Sequence, residues 1–152
     1  MTITATIRDI EAKQAELNKM IEALKANTPS TYGIPEAMIE LKPGEHYAGI
    51  VLDAEGEPSH HLILMPGSAE DISWEAAKKW AASQGGELPL RNEQSLLYAN
   101  LKAQFEAAWY WSAEQHETES SWAWCKDFGN GLQSSDRKYY EFSARAVRRL
   151  RI

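Results

Sequence analysis

Seven positions near the N-terminus, Ile3, Ile7, Ile10, Gln14, Leu17, Ile21 and Leu24, are spaced alternately four and three residues apart. This heptad seam predicts a helix over residues 1–27, about three heptads long, whose narrow apolar stripe wants a second copy of itself. Thr2 or Thr4 can cap its start, while Arg8, Asp9, Glu11, Lys13, Glu16, Lys19, Glu22 and Lys25 coat the remaining positions with mixed charge suited to water. With Ile7, Gln14 and Ile21 as a positions and the other four as d positions, isoleucine at both kinds of position leans toward a homotrimer over a dimer. Gln14 fixes the register at some cost in stability. An isolated helix of this length is marginal in water, which favours self-association over packing on the chain's own domain.

Asn27-Thr28-Pro29-Ser30-Thr31 and Gly33-Ile34-Pro35 break the helix, so residues 28–44 read as a linker and 45–152 as the folded domain. From Tyr47 the pattern becomes that of strands: Tyr47–Leu52, a turn over Asp53–Glu57, and His60–Met65 ended by Pro66-Gly67 make a β-hairpin. Two helices follow. Ser73 precedes the first, Trp74–Ala82, which Gly85-Gly86 closes; the second runs from a cap at Asn92 through Leu96, Leu97, Leu101 and Phe105. After Ala107 come short strands and polar loops. Alternation in Ser121–Phe128 places Trp122, Trp124, Lys126 and Phe128 on one face and Ala123, Cys125 and Asp127 on the other. The order of hairpin, helices and late strands is that of an α+β fold.

At 152 residues, 43% of them apolar, the chain has enough material for one domain with an appendage, and its composition excludes disorder, collagen and membrane spans. A net charge of −6 gives no whole-molecule attraction for nucleic acid, so that partner is not expected. The first residues lack the basic start and apolar stretch of a secretory signal, and the single cysteine, Cys125, cannot form an intrachain disulfide. A reducing cytoplasm, or release by lysis, is the expected setting.

Four motifs carry a resemblance. Leu88-Pro89-Leu90-Arg91 with Glu93 opening a helix, Tyr110-Trp111-Ser112 followed by Glu114, Ala123-Trp124 with Asp127-Phe128 and Gly131, and Arg145-Ala146-Val147-Arg148 resemble the bacterial and phage family called domain of unknown function 1566. The likeness spans roughly residues 45–151. It implies a C-type lectin-like domain, similar in fold to formylglycine-generating enzymes and phage tropism determinants, with a binding surface on its late strands and loops. It also implies a phage or prophage source, assembly through N-terminal segments, and a role in the host cytoplasm or the virion. Formylglycine-generating enzymes rely on several cysteines where this chain has one, and the Glu-Pro-Asn, Gln-Pro-Asp and Trp-Asn-Asp tripeptides of calcium-dependent lectins are absent. No cofactor and no metal are expected.

The individual candidates point the same way. Adjacent His60 and His61 face opposite sides of a strand and cannot chelate one ion together. Cys125 lies in a strand without an identifiable activating base and reads as a small buried residue, and no serine has a G-x-S-x-G setting, so no catalytic residue is assigned. Trp111 and Trp124 match the family's scaffold motifs, whereas Trp109 and Trp122 do not and are candidates for an aromatic platform. Polar loops over Glu114–Ser120 and Gln133–Tyr140 have a recognition-like composition. The expected ligand surface therefore comprises Trp109, Trp122, Gln133, Asp136, Arg137, Tyr139 and Tyr140, with an unidentified protein, glycan or nucleotide as ligand. Residues 136–152 carry a local surplus of four positive charges, which suits either an anion or, for Arg145 and Arg148, pairing with carboxylates inside the scaffold. The sequence thus reads as a non-enzymatic, oligomeric, phage-related binding protein, a receptor-binding or virion accessory component. The alternatives are an intracellular counter-defence protein that binds a host protein or nucleotide and, more remotely, a modifying enzyme on the same fold.

Overall fold

The computed structural model describes residues 3–152, with side chains from Thr6 onward. The chain divides into two compact units, residues up to Ile34 and Pro35–Ile152. In the first, α1 spans Ile3–Asn27. Its seam residues Ile7, Ile10, Leu17, Ile21 and Leu24 are each 40–69% exposed in the single chain, and Gln14 is exposed with them. The side chain of Ile3, the first seam position, lies outside the described residues. Lys25 in the last turn suits the negative end of the helix dipole, and the Thr28 hydroxyl donates to Leu24 O at 2.6 Å.

The second unit is α+β. A three-stranded antiparallel sheet has the order β1 (His46–Leu52), β2 (Pro58–Leu64), β8 (Val147–Arg151). A five-stranded sheet has the order β3 (Ala69–Ile72), β7 (Phe142–Ala144), β4 (Trp109–Gln115), β5 (Trp122–Asp127), β6 (Gln133–Arg137), with β4 and β7 parallel and the other pairs antiparallel. The two remaining α-helices are α2 (Trp74–Ser83) and α3 (Arg91–Leu101). No helix among the described residues is long and apolar enough to cross a membrane.

Two cores follow from strand alternation. One face of the larger sheet sends Trp111, Ala123, Cys125 and Ala144 against Trp74, Ala77 and Ala81 of α2. Large rings fit because small residues face them: Trp111 is fully buried and its indole N–H donates to Ile72 O at 2.9 Å, while that of Trp74 donates to Ser112 O at 2.7 Å. The other core joins the smaller sheet to α3 through Leu62, Leu64, Leu97, Tyr110, Phe128 and Val147. Here Phe105 stacks on Phe128 with centroids 3.9 Å apart. At the end of α2, Gly85 takes φ +83°, and Gly86 packs so tightly that a Cβ there lies 2.6 Å from Val147 O.

Several local expectations are corrected. The second helix begins one residue earlier than expected, and its start is not capped by Asn92. The main-chain N–H of Leu90 is instead taken by Glu93 Oε1 at 2.8 Å. The helix ends at Leu101, and a 3₁₀ turn, Lys102–Gln104, carries the chain to an extended Phe105. The last strands, β7 and β8, are separated by only Arg145 and Ala146 yet belong to different sheets. Gln133–Arg137, expected as loop, is the strand β6: an edge strand with largely solvated polar residues carries no hydrophobic alternation to read.

Candidate functional site

The terminal arginines are the place to start, because they decide which charges are free. Glu93 opens α3 with its side chain fully buried. Its two carboxylate oxygens accept from Leu90 N, from Arg149 Nη2 and Nε, and from His60 Nε2, the three side-chain bonds each being 2.7 Å. Burial pushes the Glu93 pKa up, but the Arg149 bonds, with those of Leu90 and His60, outweigh it and hold the carboxyl below its ordinary value. Because the ionised carboxylate only accepts, His60 Nε2 carries a proton, and Nδ1 lies within hydrogen-bond distance of the Ser59 hydroxyl, at 2.9 Å. His61 turns to the opposite face, where its Nδ1 lies 2.8 Å from the Tyr47 hydroxyl. Arg149 also reaches Glu87, and the neighbouring Arg148 forms a two-pronged pair with Glu45, lowering that carboxyl's pKa through its hydrogen bonds. Arg145 is buried and binds main-chain oxygens of Gln104 and Met65. Arg145, Arg148 and Arg149 are therefore consumed by the scaffold, while Arg151, at the end of β8, is exposed and makes no ion pair among the described residues.

A different arrangement covers the face of β5 and β6 turned away from α2. Register pairs Trp122 with Arg137, Trp124 with Ser135 and Lys126 with Gln133, so these six side chains project from one side of the sheet. Arg91, at the start of α3, lays its guanidinium 3.6 Å from the centroid of the Trp124 ring. It donates to Gln133 Oε1 and Glu117 Oε1, each at 3.1 Å. The Trp124 indole N–H donates to the same Glu117 oxygen at 3.2 Å, and His116 stacks on Trp124 at 5.2 Å with 19° between ring planes. The Nδ1 atom of His116 accepts main-chain N–H groups of Thr118 and Glu119, which shapes the turn between β4 and β5. Arg137 lies 5.5 Å from the Trp122 ring and makes no ion pair among the described residues. Beyond it the chain turns through Tyr139, 68% exposed, and Tyr140, with ring centroids 5.1 Å apart.

Of the seven expected surface residues, the structure brings Trp122, Gln133 and Arg137 onto this face and sets Tyr139 and Tyr140 at its end. Trp109 is not with them. It shares a face with Trp111, two residues on, and packs half-buried against the α2 core. Asp136 likewise projects from the other side, as the partner of Ala123. Cys125 is buried in that core, and burial pushes its thiol up to about 12, which keeps it protonated and unreactive at neutral pH. Arg91, His116, Glu117 and Trp124 belong to the face without having been expected there. Their contacts join α3 to strands more than twenty residues away, and local spacing carries no signal of that.

The face can offer flat aromatic surface, one exposed guanidinium that makes no ion pair among the described residues, and several amide and carboxylate groups, a set suited to gripping a planar or acidic group. Neither family models nor curated proteins match the chain.

Proposed function

We propose that this chain is a non-enzymatic binding protein that presents the β5–β6 face on a C-type lectin-like scaffold and is multiplied by self-association of α1. The observation carrying the reading is the contrast in commitment of its cations. Arg148 and Arg149 of β8 are closed on buried carboxylates, whereas Arg137 lies exposed beside half-buried Trp122 and exposed tyrosines. The arrangement of two helices against two small sheets supports the lectin-like reading, as do the motif residues Trp111, Glu93 and Arg148 in structural positions. Repetition of the face raises avidity without any new contact. The resemblance favours a phage setting, in the virion or the infected cell.

Affinity capture with the full chain tests the binding role. Trp122→Ala combined with Arg137→Glu is expected to lose whatever the wild-type chain retains from infected-cell lysate, at unchanged melting temperature; equal retention rejects the assignment of the face. The helix is tested separately by Ile10→Glu with Leu17→Glu. Light scattering is expected to give a trimer mass for the wild type and a monomer mass for the variant, and a monomeric wild type rejects self-association.

A further inference from the structure

The two sheets have four outer strands, and three of them are blunted. β1 carries register shifts at Tyr47/Gly49 and at Val51/Leu52. β3 is broken between Ala69 and Ile72, where Asp71 adopts φ +48°. β8 has its first residue occupied, since Val147 exchanges two main-chain hydrogen bonds with Glu87, at 3.0 and 2.8 Å. β6 is more regular than β1 and β3 and, unlike the equally regular β8, has no residue bridged on its outer side among the described residues. Its five residues pair with β5 without a shift, and it contains neither proline nor glycine. Bulges, prolines and covering segments are among the devices that keep an edge from accepting another strand, and β6 has none of these three; its charges, Asp136 and Arg137, stand together at one end.

Main-chain direction identifies the available groups. Leu132 O accepts from Asp127 N, and Lys138 N donates to Ser121 O, so even-numbered residues of this stretch turn their peptide groups toward β5. Alternation then points the N–H and C=O of Gln133, Ser135 and Arg137 away from the sheet. Arg137 is partly committed: its N–H donates to Asp136 Oδ1 at 2.8 Å, and its carbonyl accepts from Tyr140 N at 3.0 Å. Gln133 and Ser135 remain, with only a 3.5 Å approach of the Ser134 hydroxyl to Ser135 O. Two N–H and two C=O groups, two residues apart, match the hydrogen-bonding period of an incoming antiparallel strand. The serines at 134 and 135 keep the approach uncrowded, and the exposed Arg137 guanidinium at one end of the window, held by Tyr140, makes no ion pair among the described residues.

We propose that β6 is a docking edge for an extended polypeptide segment, which pairs with the main chain at Gln133 and Ser135 and sets an acidic side chain against Arg137. This form of recognition takes affinity from main-chain bonds and selectivity from alternate side chains. It rests on the binding role proposed above and names the partner class for the same face.

The probe is a library of capped heptapeptides with one fixed glutamate, titrated against the full chain. Selected peptides are expected to bind with micromolar Kd and to weaken about tenfold or more when the amides facing β6 are N-methylated, while methylation of the alternate amides has little effect. Ser135→Pro removes an outward N–H without touching the β5 ladder and is expected to cause a similar loss; Arg137→Glu is expected to weaken binding most at low salt. The N-methylation arm uses the wild-type chain and so does not depend on either variant folding. Absence of any binder tighter than about 1 mM overturns the proposal, as does binding indifferent to N-methylation. A glycan or nucleotide captured through Trp122 with no peptide binder overturns strand pairing and leaves the binding role standing, whereas pairing of β6 with β6 of a second copy, seen as cross-links between Ser135→Cys chains, replaces the partner.

Discussion

Arginines at two places in the second unit meet opposite ends. On β8, Arg148 and Arg149 close on Glu45 and Glu93, carboxylates whose side chains are 1% and 0% exposed. On the β5–β6 face, Arg91 lies against an indole and pairs only with the exposed Glu117, and Arg137 makes no ion pair among the described residues. The difference follows from burial. A cation sharing a dry site with a carboxylate cannot be released from it without leaving a charge stranded, so it is fixed in the scaffold. A cation on an aromatic ring at the surface keeps its outward edge in water and remains open to a ligand.

The largest expected effect sharpens the scaffold side. Glu93→Ala leaves Arg149 and His60 facing each other in a buried site and removes the acceptor for Leu90 N–H; a loss of about 3–5 kcal/mol in urea unfolding is expected. All six tryptophans lie in the second unit, so their fluorescence follows that unit's unfolding alone. Glu45→Gln, which keeps shape but loses the charge facing Arg148, is expected to cost about 1.5–3 kcal/mol, since the pair lies nearer the surface.

Acid probes the same carboxylates without mutation. Glu93 and Glu45 both titrate below their ordinary range when folded, so the unfolded chain binds more protons in the window beneath about pH 4.3. Their stabilisation is complete above that window and is lost as pH falls through the native values. Unfolding free energy is expected to drop steeply below about pH 4 and to drop less steeply in Glu93→Ala. An unchanged acid slope in the variant breaks the assignment. At the small end, Trp122→Ala is expected to cost less than about 1 kcal/mol, because the ring is only half-buried.

Much of this division was legible in the sequence, though not all of it. The seam of α1, the hairpin, the opposed directions of His60 and His61 and the two faces of β5 all come from spacing within one element, where period decides direction. The placement of Trp109 was readable by the same rule, since it stands two residues from Trp111 on the same strand. Motif resemblance pointed to Arg145 and Arg148 as scaffold, yet the most heavily bonded arginine is Arg149, whose partner lies 56 residues away in sequence. Contacts of that span leave no periodic trace in a single sequence. The strand β6 was hidden for the opposite reason, because a solvated edge needs no apolar pattern at all.

Equilibrium urea unfolding of Arg137→Ala beside Arg149→Ala, followed by tryptophan fluorescence, tests the division most directly. Arg137→Ala is expected within about 0.5 kcal/mol of the wild type, as for an exposed surface residue that makes no ion pair among the described residues, and Arg149→Ala about 3 kcal/mol or more below it, as for one half of a buried pair. Equal losses in the two variants would contradict the separation of scaffold from recognition surface.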